Sequence, residues 1–252
     1  MQEPLVSVIM PYYCDTGFFK DSVCSVLNQT SSDLELIIVD DCSQDNGIQC
    51  LSNDILSDNR LIIIRNSQNI GAGLSRNVGI KESKGTWLAF CDSDDIWMPK
   101  KLETHLSYIM NNNVDFTFSS YEIYKNNLPV NIRHARSQVN YTDLLKSNYI
   151  GCSTVMLKRK ALNGLKFNAF RNRQDWCLWL DITANGSIFY GINEVLVIYN
   201  KSDESISSNK IKMINRNFAV YYHHLNYSLI KSILRMLIFL AVHVYALIKK
   251  DK

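Results

Sequence analysis

Three carboxylates, Asp92, Asp94 and Asp95, fall within four positions of one another. They end the mostly apolar run 87–91, which a glycine precedes and which predicts a buried strand. Open α/β sheets bind ligands at the carboxyl ends of their strands. Like charges this close repel one another, and Mg²⁺ or Mn²⁺ bound by carboxylate oxygens would relieve the repulsion. The alternative is a solvated acidic turn that caps a helix beginning near Met98 and Pro99.

Length and composition limit the possible folds. The chain has 252 residues, of which 46% are hydrophobic and 20% charged, so it can form one α/β domain with an appendage or two small domains. The net charge of +3 indicates no nucleic-acid partner. Residues 201–252 carry nine Lys or Arg against three acids, which predicts a tail that meets an anionic surface.

The seven cysteines and the N-terminus bear on the cellular compartment. No two cysteines form a C-x-x-C pair, so we expect neither a zinc site nor a disulfide framework. The first residues lead directly into a predicted strand and do not resemble a signal peptide, so we expect a cytoplasmic protein.

The elements that position the three acids alternate along the first hundred residues. Predicted strands occupy 5–10, 34–39, 60–64 and 87–91, and predicted helices occupy 18–28, 48–56 and 74–83. This alternation predicts βαβ units and a parallel sheet with right-handed crossovers. Pro11 should end the first strand, with Tyr12 and Tyr13 as an aromatic lip. Asp40 and Asp41 end the second strand at the same rim, unless they only cap the next helix.

The second half of the chain is less regular. Strands are predicted at 116–124, 153–157 and 195–199. A helix beginning at Arg173 places Asp175 in its first turn, where the positive end of the helix stabilises a carboxylate. Its buried stripe should contain Trp176 and Trp179.

A final apolar segment, Met236–Ile248, is flanked by Lys231, Arg235, Lys249 and Lys250. Its thirteen residues are fewer than the roughly 20 that a membrane-spanning helix needs. The pattern favours a helix lying in the membrane interface. A helix packed on the body or on a second copy, and a true membrane span, are the alternatives.

The motifs together resemble the family 2 glycosyltransferases of GT-A fold. The matching segments, in the family's order, are Ser7–Tyr13, Ser25–Thr30, Glu35–Asp45, Asn69–Gly71, Ser75–Ile80, Cys91–Asp95 and Gln174–Trp179. Two positions depart from the family pattern: Cys42 stands where the family usually has glycine, and Cys14 where it has asparagine. The resemblance covers about residues 4–200.

The resemblance implies an α/β fold with a mostly parallel, Rossmann-like central sheet and a C-terminal helical tail. Residues 1–200 would form the glycosyltransferase domain, with a nucleotide-sugar-binding half (1–100) and an acceptor-binding half (101–200), and 201–252 a basic amphipathic extension. It also implies site residues: Pro11 and Tyr13 at the nucleobase, Asp41 at the base edge, Arg76 near the phosphates, Asp92 at the ribose and at the metal, Asp94 as metal ligand, and Asp175 as catalytic base.

The implied activity is metal-dependent, inverting transfer of a hexose, glucose or galactose, from a UDP-sugar with Mn²⁺ or Mg²⁺. The expected acceptor is GlcNAc or GalNAc on undecaprenyl diphosphate, in O-antigen or capsule synthesis, by an enzyme peripheral on the inner face of the cell membrane. A soluble or protein acceptor is the alternative. A nucleotidyltransferase or a haloacid dehalogenase-type phosphatase fits less well. A nucleotidyltransferase would begin with a glycine-rich, basic loop, which this chain does not have at Pro11–Tyr13. The acidic motif of the phosphatase should end the first strand, whereas here it ends the fourth.

Overall fold

A computed structural model describes residues 4–14, 17–201 and 210–250, with side chains for all of these except 210–212 and 246–250. The strands in this part of the chain are β1 (Val6–Tyr12), β2 (Leu34–Asp40), β3 (Leu61–Arg65), β4 (Trp87–Phe90), β5 (Ile96–Trp97), β6 (Phe116–Lys125), β7 (Leu128–Arg133), β8 (Gln138–Val139), β9 (Val155–Lys158) and β10 (Phe189–Asn200). The α-helices are α1 (Phe19–Leu27), α2 (Asn53–Leu56), α3 (Ala72–Glu82), α4 (Lys101–Asn112), α5 (Tyr141–Leu144), α6 (Gln174–Ala184), α7 (Lys210–Ala219) and α8 (Leu229–Lys250).

One sheet organises these elements, in the order β3-β2-β1-β4-β9-β6-β10-β5, with β7 beside β6 and β8 beside β10. Strands β3, β2, β1 and β4 are all parallel, as are β6 and β10, and β9 runs antiparallel between the two groups. Because parallel strands end at the same edge, the segments after β1, β2 and β4 emerge together.

The sheet has an apolar core on each face. Val8 and Met10 of β1 belong to one core and Ile9 between them to the other, because successive side chains of a strand point to opposite faces. Helices α1 and α4 cover the first core, and α6 and α8 contribute to the second. Trp176 and Trp179 are fully buried, as the sequence predicted for the stripe of α6.

Three predictions from the sequence were wrong. Strand β1 continues through Pro11, because β4 pairs with β1 only as far as Ile9 and the missing proline N–H breaks no hydrogen bond on that side. Tyr12 is therefore a core residue whose hydroxyl donates to Asp45, and it forms no lip. The helix predicted for 48–56 is a short 3₁₀ turn followed by the four-residue α2.

The segment after residue 210 packs on α6 and on the loop after α5. Trp176 of α6 contacts the rings of Tyr221 and Phe239, with centroids 5.7 and 5.8 Å away. The hydroxyl of Tyr221, in the π-helical turn between α7 and α8, donates to the carbonyl of Leu145. Packing on the body is thus confirmed for one face of α8, and none of the described helices is long and apolar enough to cross a membrane. The side chains of Lys249 and Lys250 lie outside the described residues.

Lys101, the first residue of α4, is a completely buried cation that the sequence did not reveal. Its Nζ lies 4.1 Å from the centre of the Trp97 ring and has no hydrogen-bond partner among the described residues. Burial lowers the pKa of Lys101 from 10.5 to about 7. The neighbouring His105 is also buried and has its pKa lowered, first by burial and then by the charge of Lys101.

We expect Lys101→Met to raise the free energy of unfolding above that of the wild type, and this gain should be largest at or below about pH 7. The folded pKa is lower than the unfolded one, so between about pH 7 and pH 10 the unfolded state binds more protons and wild-type stability rises with pH. Methionine removes this titration, so its advantage should shrink as the pH rises through that range. Urea denaturation of both proteins across this range measures the effect. Lys81→Met, at a side chain 84% exposed, is the matched control. Parallel pH profiles for wild type and Lys101→Met would contradict the prediction.

Candidate active site

Of the acids after β4, Asp95 is buried and Asp92 and Asp94 are half-buried, and their charges interact. Burial, and then the negative charge of Asp92, raise the pKa of Asp94 to about 6. Asp95 is 1% exposed, and burial followed by the charges of Asp94 and Asp92 raises its pKa well above the ordinary value. Its Oδ1 is buried without a hydrogen-bond partner in the described part of the chain. The cluster therefore has negative charge that the surrounding described residues only partly compensate.

Arg76 of α3 supplies the partial compensation. Its guanidinium is 3% exposed, forms an ion pair with Asp92 and lies 5.4 Å from the centre of the Phe167 ring. Burial alone would lower the pKa of Arg76, but the charge of Asp92 holds it above the ordinary value. The backbone N–H of Asp92 also donates to Ser153 Oγ, 3.0 Å away. These contacts fix Asp92 from two sides.

Close packing of α3 brings Arg76 to the acids. A Cβ at Gly79 would lie 2.5 Å from Ile9 Cγ2, so only glycine lets α3 approach β1 this closely. At the other end of α3, a Cβ at Gly73 would lie 2.8 Å from the carbonyl of Asn168 and 2.9 Å from the Gln174 side chain. The close contact at Gly73 joins α3 to the start of α6, where Asp175 lies.

The residues predicted to hold the nucleotide lie at the rim after β1 and β2. Pro11 is buried in β1, and Tyr13 is 51% exposed. The buried carboxylate of Asp41 accepts hydrogen bonds from the backbone N–H groups of Ile70 and Gly71, at 2.9 and 2.7 Å. It also accepts one from the Asn66 amide at 2.9 Å. Asp41 thus fixes the turn before α3, a role the sequence did not show, and its contact with a base edge stays a prediction.

Asp175 lies in the first turn of α6, as predicted. Its Oδ2 accepts a hydrogen bond of 2.9 Å from Asn148 Nδ2, and its Oδ1 has no hydrogen-bond partner among the described residues. Asn148 is in the loop after α5, 27 positions away, so no local sequence signal connects it to Asp175. One oxygen of the carboxylate is therefore held in place while the other can accept a proton.

One cavity of about 310 Å³ joins these groups. Of the predicted site residues it is lined by Arg76, Asp92 and Asp175, whereas Asp94 and the rim residues Pro11, Tyr13 and Asp41 are not in its lining. Asp95, the third carboxylate of the predicted acidic cluster, also lines it, as do residues that the sequence did not identify, among them Asn148, Ser153, Arg173, Tyr199 and Met213. A cavity of this size holds a small polar ligand and lies in the range of natural ligand pockets.

The described residues contain no group of three His, Cys, Asp or Glu side chains placed to hold a metal ion. A closed protein cage is therefore not present in this part of the chain. Mg²⁺ commonly binds through one or two carboxylates together with substrate phosphates and water, and Asp92 and Asp94 fit that donor set. The unpartnered Oδ1 of Asp95 and the raised pKa of Asp94 are the features that a cation at this place would relieve.

Comparison with known proteins decides the family. Residues 7–172 match the family model described as Glycosyl transferase family 2. The chain belongs to this family. The matched range ends three positions before Asp175, and it contains the acids after β4 and the segments that follow β1 and β2. Membership excludes the phosphatase and nucleotidyltransferase interpretations.

Relatives of similar length support the same assignment. The chain is 38% identical to the putative teichuronic acid biosynthesis glycosyltransferase TuaG of Bacillus subtilis, over 87% of this chain and 88% of that one. It is 40% identical to the UDP-Glc:alpha-D-GlcNAc-diphosphoundecaprenol beta-1,3-glucosyltransferase WfgD of Escherichia coli, over 87% and 86%. The first of these relatives is thus named for teichuronic acid biosynthesis and the second for a GlcNAc-diphosphoundecaprenol acceptor.

Solved structures confirm the GT-A fold. The crystal structure of S. aureus TarS 1-349 in complex with UDP-GlcNAc matches with a TM-score of 0.73 at 19% identity, covering 93% of this chain and 71% of that one. The mannosyltransferase PcManGT from Pyrobaculum calidifontis, in complex with GDP-Man and Mn²⁺, matches with a TM-score of 0.63 at 16% identity, covering 89% and 62%. At these identities the likeness concerns the fold.

Proposed function

We propose that this glycosyltransferase moves a hexose, glucose or galactose, from a UDP-sugar to GlcNAc or GalNAc on undecaprenyl diphosphate, forming a β-linkage during O-antigen or capsule repeat-unit synthesis. The observation that carries the proposal is the single cavity lined both by acids that follow β4 and by Asp175. The name of the WfgD relative, which states a UDP-Glc donor and a GlcNAc-diphosphoundecaprenol acceptor, supports the substrate classes.

The rim after β1 and β2 would receive the nucleotide. Tyr13, half exposed, offers an aromatic face for stacking on the base, and buried Pro11 supports it from the strand. Asp41 would contact the base edge while it holds the turn before α3. Asp92 would contact the ribose, with Arg76 behind it as counter-ion and near the phosphates.

Asp94 and Asp92 would hold Mn²⁺ or Mg²⁺ together with the donor diphosphate. When bound, this cation would neutralise the negative charge that develops on the departing phosphate oxygens. The protein's own contribution is positional, because Asp92 is fixed by Arg76 and by Ser153 and its backbone cannot shift freely.

Asp175 would act as the general base. Asn148 holds Oδ2, and Oδ1 would take the proton from the acceptor hydroxyl as that oxygen attacks the anomeric carbon. Attack from the face opposite the departing diphosphate is a single displacement and inverts the anomeric centre. An α-linked donor sugar would therefore give a β-linked product.

The outer face of α8 would contact the membrane that carries the acceptor lipid. Its exposed apolar side chains are Leu229, Ile230, Ile233, Leu234, Leu237, Ile238, Leu240, Val244 and Tyr245. The opposite face, with Met236 and Phe239, packs on the body. Lys231 and Arg235 lie on the same helix and could meet anionic headgroups, each contributing about 1 kcal/mol. We propose a peripheral enzyme at the cytoplasmic face of the membrane.

The metal proposal is tested with Asp94→Ala and with chelation. Loss of a ligand should reduce transfer about a thousandfold, since it removes charge stabilisation from the transition state. EDTA should inactivate the wild type, and added Mn²⁺ or Mg²⁺ should restore it. Asp54→Ala, at an exposed acid of α2, is the control and should remain active. Full wild-type activity in excess chelator would exclude the metal assignment.

Asp175→Asn tests the base. The substitution preserves shape but removes the basic oxygen, so kcat should fall roughly a hundredfold or more while UDP-sugar binding, measured by calorimetry, stays near the wild-type value. Asp181→Asn changes another acid of α6, one that contacts His224, and should leave kcat nearly unchanged. Parallel loss of donor binding and turnover in Asp175→Asn would count against the role.

The membrane proposal is tested with the double variant Leu234→Ser and Leu237→Ser on the exposed face of α8. It should fold normally, while its cosedimentation with vesicles of phosphatidylglycerol and phosphatidylethanolamine falls at least about tenfold, because two apolar side chains are lost from the contact. Phe239→Ala, on the packed face, should instead lower Tm. A double variant that binds vesicles normally but changes oligomeric state would show that a second copy covers this face.

A further inference from the structure

Arg173, the residue that precedes α6, has an unusual backbone. Its φ is +65°, in the left-handed region that non-glycine residues rarely adopt. It lines the same cavity as Asp175, two positions further along the chain. Strained backbone conformations that persist at a ligand cavity are characteristic of functional positions. The conformation therefore directs attention to the Arg173 side chain.

The Arg173 guanidinium is held by the C-terminal segment. Its Nε donates a hydrogen bond of 2.7 Å to Oδ1 of Asn217, a residue of α7 that is only 3% exposed. Its Cζ lies 6.0 Å from the centre of the Trp176 ring. Among the described residues no other hydrogen bond to this guanidinium is found, so the two terminal nitrogens retain their donors. The side chain is fixed at Nε and open at its forked end.

Arg173 forms no ion pair within the described part of the chain. Burial lowers the pKa of its guanidinium; the negative charge of Asp175 partly offsets this effect, and the positive charge of Arg216 of α7 adds to it. Arg76, the other arginine in the lining of this cavity, is by contrast paired with Asp92. A half-buried positive charge that forms no salt bridge favours an anionic ligand, and the planar fork of arginine suits phosphate oxygens.

We propose that Arg173 binds the diphosphate of the acceptor and that α7, through Asn217, orients it for this contact. The assignment rests on the proposed function. Arg173 and the base Asp175 belong to the same turn, so a sugar whose hydroxyl reaches Asp175 brings its own anomeric phosphate near Arg173. The donor diphosphate, in contrast, is assigned to the acids after β4 with their cation.

The position of α7 agrees with this acceptor site. Met213 of α7 lines the cavity, so α6 and α7 form the acceptor side together. The chain continues from α7 through the turn Val220–His224 into α8, whose exposed apolar face is the proposed lipid contact. In a lipid-linked acceptor the diphosphate joins the sugar to the lipid. The proposed contacts lie in the same order: the cavity for the sugar, Arg173 for the diphosphate, and α8, reached through α7, for the lipid.

The experiment compares two acceptors that share one alkyl chain, GlcNAc-diphosphate-alkyl and the uncharged GlcNAc-alkyl glycoside. The variant is Arg173→Asn, because asparagine tolerates a positive φ and avoids added backbone strain. We expect its KM for the diphosphate acceptor to rise at least about tenfold, the effect of losing a charge-assisted hydrogen bond. Its kcat, its kcat/KM for the uncharged acceptor and its UDP binding should stay near wild type.

Three further proteins complete the comparison. Arg173→Lys should recover part of the diphosphate affinity, because it keeps the charge without the fork. Asn217→Ala should raise KM for the diphosphate acceptor by a smaller factor, because the guanidinium loses its orientation. Arg133→Asn, the same change at an exposed arginine of β7, should behave as wild type.

Specific outcomes overturn the assignment. If Arg173→Asn weakens transfer to both acceptors equally, or if it weakens UDP binding, Arg173 does not act on the acceptor diphosphate, although the proposed function stands. A wild type that binds UDP-sugar but uses no diphosphate-linked acceptor overturns the proposed acceptor, and this assignment with it. Equal KM values of the wild type for the two acceptors likewise overturn it.

Discussion

The complete burial of Asp95 and the partial burial of Asp92 and Asp94 at the end of a central strand are the constraint on which much of this structure depends. Each buried negative charge costs free energy, and each raises the cost of the others. The protein offsets one of the three charges with Arg76, and Arg76 can reach Asp92 only because Gly79 lets α3 lie directly against β1. Asp94 and Asp95 are left without a cation among the described residues, and a bound cation with the phosphates of the proposed donor would complete the balance. The close packing of α3 on β1 and the ion pair at Asp92 thus depend on each other.

Helix α6 is the second organising element. Its first turn carries Asp175 to the cavity, and its buried face carries Trp176 and Trp179 into the core. Trp176 also packs against the rings of Tyr221 and Phe239 of the C-terminal segment. The domain division expected at residue 200 stays a prediction, but side chains after that residue share a hydrophobic core with α6. Changes on the packed face of α8 will therefore reach α6, which carries Asp175, through direct contacts.

The two ends of the C-terminal segment serve different surfaces. Asn217 of α7 faces inward and holds Arg173, while the outer face of α8 presents apolar side chains such as Leu237 away from the body. The proposed acceptor, with its sugar in the cavity and its lipid in the membrane, would require both kinds of surface. The fold supplies them within some forty residues of continuous chain.

The sequence by itself determined the alternation of strands and helices, the family and the order of its motifs, because these depend on local periodicity and on short runs of residues. It placed Asp92 and Asp175 correctly at the end of a strand and in the first turn of a helix. Only the tertiary structure showed that Asn148 orients Asp175, that Asp41 holds the turn before α3, and that α8 packs through one face. These contacts join residues far apart in the chain, and no local pattern encodes them. The burial of Lys101 and the positive φ of Arg173 have the same origin, since surrounding packing overrides what each residue type prefers in isolation.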